Sequence, residues 1–240
     1  MMKGYLYHNI VLSRANLIMM AVIEGFLVAA WTGYVVLMHH ANEMDMTSAT
    51  FVGGIILFGS LLSTELVSMD LFKNCEGDLW CSFAIASPAS VEGYLGAKYK
   101  ILFAIDLMLP ALWLVVDAIL GAWYEQTLAM ASTAFLLCCL LLLLQSVELA
   151  VAVRLGSSFG SYVKAVVFAL MMLGVAVYGL FGDLSFFRQE DPLSALQEAV
   201  FSGKTFLCLG CLPYIALTAY WLSYRYSVAV YRKGVIHYEG

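Results

Sequence analysis

The chain has 240 residues, of which 62% are hydrophobic and 12% charged, with a net charge of −5. Soluble domains run at about 45–50% apolar and about 25% charged, so an ordinary soluble core is excluded and the composition reads as a membrane-embedded domain. The acidic balance argues against nucleic acid as a partner. No polar block is long enough for a second soluble domain, so residues 1–240 are expected to form one membrane domain.

From the N-terminus, Lys3–Asn16 carries Leu6, Ile10 and Leu17 at near-helical spacing, with Lys3 and Arg14 among them. This pattern predicts an amphipathic helix on the inner membrane surface, leading into a first span. The first apolar run starts late, is too long for a signal h-region and has no small-residue cleavage pattern after it, so no cleaved signal peptide is expected.

A bilayer-crossing helix needs ~20 mostly apolar residues. Six stretches qualify: Leu17–Met38, Phe51–Met69, Tyr99–Leu120, Leu128–Val151, Val163–Phe181 and Thr205–Tyr224. The predicted fold is all-α, with six transmembrane helices. The second and fifth stretches are dotted with glycine (Gly53, Gly54, Gly59; Gly174, Gly179, Gly182), and small residues let membrane helices approach closely.

Basic residues mark the cytoplasmic side. Lys3 and Arg14 precede the first span. Lys73, Lys98 and Lys100 lie between the second and third, Arg154 and Lys164 between the fourth and fifth, and Arg225, Arg232 and Lys233 after the sixth. Only Arg188 and Lys204 fall on the other side, so ten of the twelve basic residues share one face. Both termini are therefore expected in the cytoplasm, and the protein in the cell membrane.

The inner connection Asp70–Lys98 contains Glu76-Gly77-Asp78-Leu79-Trp80, an apolar stretch with Phe83, and then Ser87-Pro88-Ala89-Ser90. Ser87-Pro88 is a helix-start signal, a capping hydroxyl followed by a proline with its φ preset. The third helix is therefore expected to begin in the cytoplasm and run straight into the membrane. Leu79, Trp80 and Phe83 make the preceding segment amphipathic, which predicts a short helix across the inner face.

In this loop the chain resembles the permease subunits of type-2 ABC exporters. Their first inner loop runs acidic residue, Gly or Lys, Trp, a short apolar stretch, Leu-Pro-Ile-Ser-Arg and then Tyr-x-x-x-Lys. Glu76-Gly77-Asp78-Leu79-Trp80, Ser87-Pro88-Ala89-Ser90, Tyr94 and Lys98 follow that order, with Ala89 for the usual Ile and Val91 for the usual Arg. The topology resembles the family over the whole chain, the sequence only in this loop. The branch it is most similar to is the short permeases that export amphipathic peptides such as phenol-soluble modulins.

The resemblance implies a coupling helix around Glu76–Phe83 that docks on a separate ABC ATPase, with Asp70, Glu76, Asp78, Leu79, Trp80, Phe83 and Pro88 as the coupling residues. The alternative for the same segment is an ordinary amphipathic interfacial helix with no partner. ATP and Mg would sit on that ATPase and no cofactor on this chain. A second permease copy, identical or related, would complete the path, with its seam along the glycine-rich faces or the first and fifth spans.

Five acids fall inside the apolar stretches: Glu24, Glu65, Asp106, Asp117 and Glu148. Ionisable groups there are costly and usually face an interior, a cavity or a partner. No Lys or Arg occupies the apolar centre of a span, so the acids are expected to lack a built-in basic partner. Asp106 and Asp117 are eleven residues apart, close to three turns, and so share a face; Gln145 and Glu148 share one at i, i+3. Four of the five lie toward the cytoplasm. They predict a negatively charged inner vestibule for a cationic amphipathic peptide, the alternatives being protonated carboxyls bonded between helices and acids snorkelling to the interface.

No nucleotide-binding loop is present: Gly156-Ser157-Ser158-Phe159-Gly160 lacks the lysine and the preceding strand. His8, His39, His40 and His237 lie outside the spans or at their edges, which disfavours an intramembrane protease. No catalytic residue or metal ligand is assigned. His39-His40 beside Glu43 and Asp45 reads as a solvated loop, and Cys208 and Cys211 as apolar packing residues. An ion- or proton-coupled carrier is the second functional reading, because buried acids suit it.

Overall fold

A computed structural model describes residues 2–41, 46–73, 90–124, 130–181 and 203–233. Among them are seven helices and no strand: α1 (Met2–Leu12), α2 (Arg14–Ala41), α3 (Met46–Lys73), α4 (Ser90–Trp123), α5 (Met130–Leu155), α6 (Ser157–Phe181) and α7 (Gly203–Arg232). Each predicted apolar stretch falls on one of the last six, except that Leu128 and Ala129 lie outside the described residues. Most of these helices overrun the apolar stretches because hydropathy marks the apolar length, whereas helical hydrogen bonding continues into polar flanks such as Arg14–Asn16 and Arg225–Arg232.

Among the described residues, three helical stretches are long and apolar enough to cross a membrane: Arg14–Ala41, Val91–Trp123 and Met130–Leu155. The outer surface fits that environment. Phe26, Leu37, Phe51, Leu114 and Leu170 all lie exposed, and contiguous exposed apolar surface marks a membrane or an interaction face.

The most heavily packed helix is α5, set against α7, α6 and α4, while α2 pairs with α3. The core is stacked in three layers. Trp31, Ile56, Trp113, Val116 and Met130 fill one. Met20, Val67, Leu102, Ile105, Leu142 and Tyr220 fill the next. Tyr5, Val91, Tyr94, Leu95 and Val228 form the third, where α1 closes over the start of α4 and the end of α7.

Single-residue joints fix two of the turns. Gly156, between α5 and α6, has φ 97°, a left-handed conformation natural for a glycine just past a helix end. It folds α6 back so tightly that a Cβ on Gly160 would meet the Glu148 carbonyl oxygen and the Ala152 Cβ, each at 2.8 Å. Ser13, between α1 and α2, is buried, and its backbone N–H donates to the Asn9 carbonyl at 3.1 Å.

The predicted face of the first helix holds in part. Leu6 and Leu17 pack against the core, whereas Ile10 is exposed with Tyr7, Val11 and Leu12; Tyr5 and Asn9 of α1 and Ser13 just after it, four residues apart, are buried. Helix-to-helix packing decides this: Tyr5 meets Tyr94 of α4 edge-on at 6.2 Å. α1 is docked on the bundle through this face, with apolar side chains left on its outer side. The expectation for the third span fares better: α4 is one continuous helix from Ser90, well before the apolar stretch begins.

Candidate functional site

The polar side chains inside the bundle gather between α2, α3, α4, α5 and α6, and the carboxylates predicted to lack a basic partner divide into three kinds. Lys164 of α6 lies between two of them. Its ammonium donates to Glu148 Oε2 at 2.8 Å and pairs with Glu65 Oε2 of α3. Ser161, one turn earlier on α6, donates to Glu148 Oε1 at 3.5 Å. The three charged side chains are 11–18% exposed. A lysine at the edge of an apolar run thus reaches inward on its four-carbon stem, which corrects the expectation of unpartnered acids for Glu65 and Glu148.

Glu24 of α2 is held differently. Ser60 donates to Oε2 at 2.8 Å and Ser63 to Oε1 at 2.5 Å, both from α3. Ser63 also lies 2.8 Å from the Ser60 carbonyl oxygen, and Thr64 donates to that carbonyl at 3.0 Å. Among the described residues no basic side chain forms an ion pair with Glu24. Hydroxyl donors satisfy a carboxylate without cancelling its charge.

Asp106 and Asp117 both face α5, as their shared helical face predicts. Gln145 Nε2 donates to Asp106 Oδ1 at 3.1 Å, and Cys138 Sγ approaches the Asp106 carbonyl oxygen at 3.3 Å. Asp117 Oδ2 accepts the Ala131 backbone N–H at 2.7 Å. It satisfies one of the amides left open at the start of α5, where a negative charge suits the helix dipole.

Two clefts accompany these groups. One, of about 280 Å³, opens between α2, α3 and α4; Glu24 and Thr64 lie on walls otherwise made by Met20, Val28, Ile105 and Leu109. Of the five acids only Glu24 lines it. The other, of about 510 Å³, lies between α4 and α7 and is lined by Tyr99, Phe103, Tyr220, Trp221 and Tyr224, with Glu92 and Lys100. Tyr99 turns its hydroxyl inward to Ser223 and Ser227, at 3.0 and 2.8 Å, and Tyr220 donates to the Tyr99 carbonyl at 2.8 Å. This second cleft therefore presents aromatic ring faces.

Of the predicted coupling residues, Asp70 falls on the last turn of α3; Glu76, Asp78, Leu79, Trp80, Phe83 and Pro88 lie outside the described residues. Glu43 and Asp45 lie outside them too, and His39 packs edge-on to Tyr124 at 4.4 Å. Among the described residues, no group of three or more His, Cys, Asp or Glu side chains is placed to hold a metal ion. Cys138 and Cys139 are buried as expected of packing residues, whereas Cys211 is exposed. Sequence reasoning passed over Ser60, Ser63 and Thr64, whose i, i+3, i+4 spacing on one face of α3 was the available signal. In comparisons with known proteins, no family model, no curated protein and no solved structure matches this chain.

Proposed function

We propose that the chain is a six-span cell-membrane protein with both termini in the cytoplasm, the transmembrane subunit of an ATP-driven ABC exporter. A separate ATPase docks on the inner loop, hydrolysing ATP with Mg. A second permease copy completes the path for a cationic amphipathic peptide or similar amphiphile.

The observation that carries the reading is the basic-side end of the bundle. α4 has 34 residues, about 51 Å at helical rise, against a hydrocarbon core of about 30 Å. Lys98 and Lys100 lie near its start, so the surplus length falls on the basic side. There Tyr5 of α1 and Val228 of α7 pack around Val91, Tyr94 and Leu95. A stiff, clamped helix end beside the loop is suited to passing a push from a docked engine into the bundle. Charge supports the cargo class: Glu24 supplies a carboxylate without a basic partner among the described residues, on the wall of an otherwise apolar cleft.

The test is purification from native membranes in mild detergent without crosslinker. An ATPase should come along, and cationic amphipathic peptides should stimulate its hydrolysis. Recovery of the chain alone, at full yield and folded, overturns the reading. The Glu65–Lys164–Glu148 triad favours a second reading, an ion- or proton-coupled carrier, since charges buried in a membrane bundle mark ion pathways. Transport by the purified chain alone in proteoliposomes under a proton gradient would establish it.

A further inference from the structure

We propose that Asp106 is a buried proton-binding site, a neutral carboxylic acid paired with the Gln145 amide and joining α4 to α5. Both side chains are 1% exposed. Gln145 Nε2 donates to Oδ1 at 3.1 Å, whereas Asp106 Oδ2 and Gln145 Oε1 are both buried with no hydrogen-bond partner among the described residues. An ionised carboxylate and an amide oxygen only accept, so ionised Asp106 leaves two buried acceptors unsatisfied and a charge in apolar surroundings. A single proton on Oδ2 removes the buried charge and turns one of the two unsatisfied acceptors into a donor, which is the hydrogen that a cyclic acid–amide pair with the Gln145 oxygen requires.

The surrounding charges point the same way. Glu65 of α3 and Lys164 of α6 act on Asp106 electrostatically, and Cys138 of α5 and Tyr220 of α7 are also within range. On α2, Glu24 lies across the cleft that Ile105 and Leu109 line. Lys164 is already shared by Glu65 and Glu148, so ionised Asp106 would be a third carboxylate facing one cation. The proposal stands whether or not the chain serves an ATPase.

Infrared spectroscopy of the full chain in nanodiscs at neutral pH, with ¹³C-carboxyl aspartate, reads the proton directly. The wild-type protein should show a carboxylic-acid C=O band that Asp106→Asn removes. Gln145→Leu should keep the band and move it to higher frequency, because the acid loses its partner. No acid band lost in Asp106→Asn overturns the proton; a band unmoved by Gln145→Leu overturns the pairing. Asn reproduces the donor and acceptor of the neutral acid, so Asp106→Asn should melt within ~2 °C of wild type while Asp106→Ala loses at least ~4 °C. An Asn variant as damaged as the Ala variant overturns the proposal even if Gln145→Leu fails to fold.

Discussion

Glu148 and Glu24 are both buried carboxylates on apolar helices, yet the bundle satisfies them by opposite means. Glu148 shares the Lys164 ammonium with Glu65 and adds a hydroxyl from Ser161, which ties α3, α5 and α6 together. Glu24 has the hydroxyls of Ser60 and Ser63 and a cleft beside it. In the first arrangement one cation offsets two anions, and removing a member exposes the others to the cost of burial. In the second no basic side chain among the described residues pairs with the carboxyl group, and it lines a cavity. The difference separates an acid tied into an ion-pair network from one held by hydroxyls beside a cleft.

Lys164→Met should break the first arrangement most severely. It leaves two carboxylates with no cation between them, and losing one partner of a buried ion pair costs about 3–5 kcal/mol. The expected result is a large drop in detergent-solubilised melting temperature and in folded yield. The triple change Lys164→Met, Glu65→Gln, Glu148→Gln should recover most of the loss, since no charge then stays buried alone. A single Lys164→Met variant that melts like wild type would show that the triad does not fasten the helices. Next in size is Gly160→Ala. The added Cβ meets backbone oxygen and Ala152 at 2.8 Å, so α5 and α6 must part, at about 1–3 kcal/mol. Thermal melting measures this too, and an unchanged midpoint would mean that the hairpin yields freely.

The helices were largely legible in the sequence and the partnerships were not, for a physical reason. Apolar length is a local property, so Leu17–Met38 and Tyr99–Leu120 lie well inside α2 and α4. Helical periodicity is local too, and it placed Asp106 and Asp117 together on the face that meets α5. The Lys164–Glu65 pair spans 99 positions of sequence, and nothing local marks which helices become neighbours. Lys164 also sits at the edge of an apolar run, where reach along a flexible stem and not sequence position decides how deep the charge lies. The first helix departed from its pattern at Ile10 for a related reason. Leu6 and Leu17 pack inward, but where the outside is also apolar Ile10 stays exposed, and close packing selected Asn9 and Ser13 for the buried side. The predicted coupling segment from Glu76 to Pro88 lies outside the described residues.

Glu24→Gln sharpens the comparison from the other side. Gln keeps an oxygen for one serine and removes the charge, so the stability cost should stay near 1 kcal/mol. On the proposed exporter function, peptide-stimulated hydrolysis by a copurified ATPase should fall by roughly tenfold, the worth of about 1.4 kcal/mol. Glu65→Gln, which still leaves Lys164 paired with Glu148, should change stimulation far less. Equal losses in the two variants would erase the distinction between a fastening acid and a receiving one.

The smallest effect belongs to Arg232→Ala. Arg232 of α7 pairs with Glu92 of α4 where both side chains are half-exposed, at 60% and 50%. Water screens such pairs, and exposed ones contribute about 0–1 kcal/mol. The clamp of α1 on α4 and α7 rests instead on buried contacts, with Tyr94 and Leu95 each 1% exposed. Arg232→Ala should therefore leave the melting temperature within ~2 °C of wild type, while Tyr94→Ala, which empties an aromatic site, should lower it clearly. If the two variants melt alike, the ion pair matters more to the clamp than its exposure allows. Charge would then fasten helices at the membrane surface as firmly as it does in the Lys164 triad.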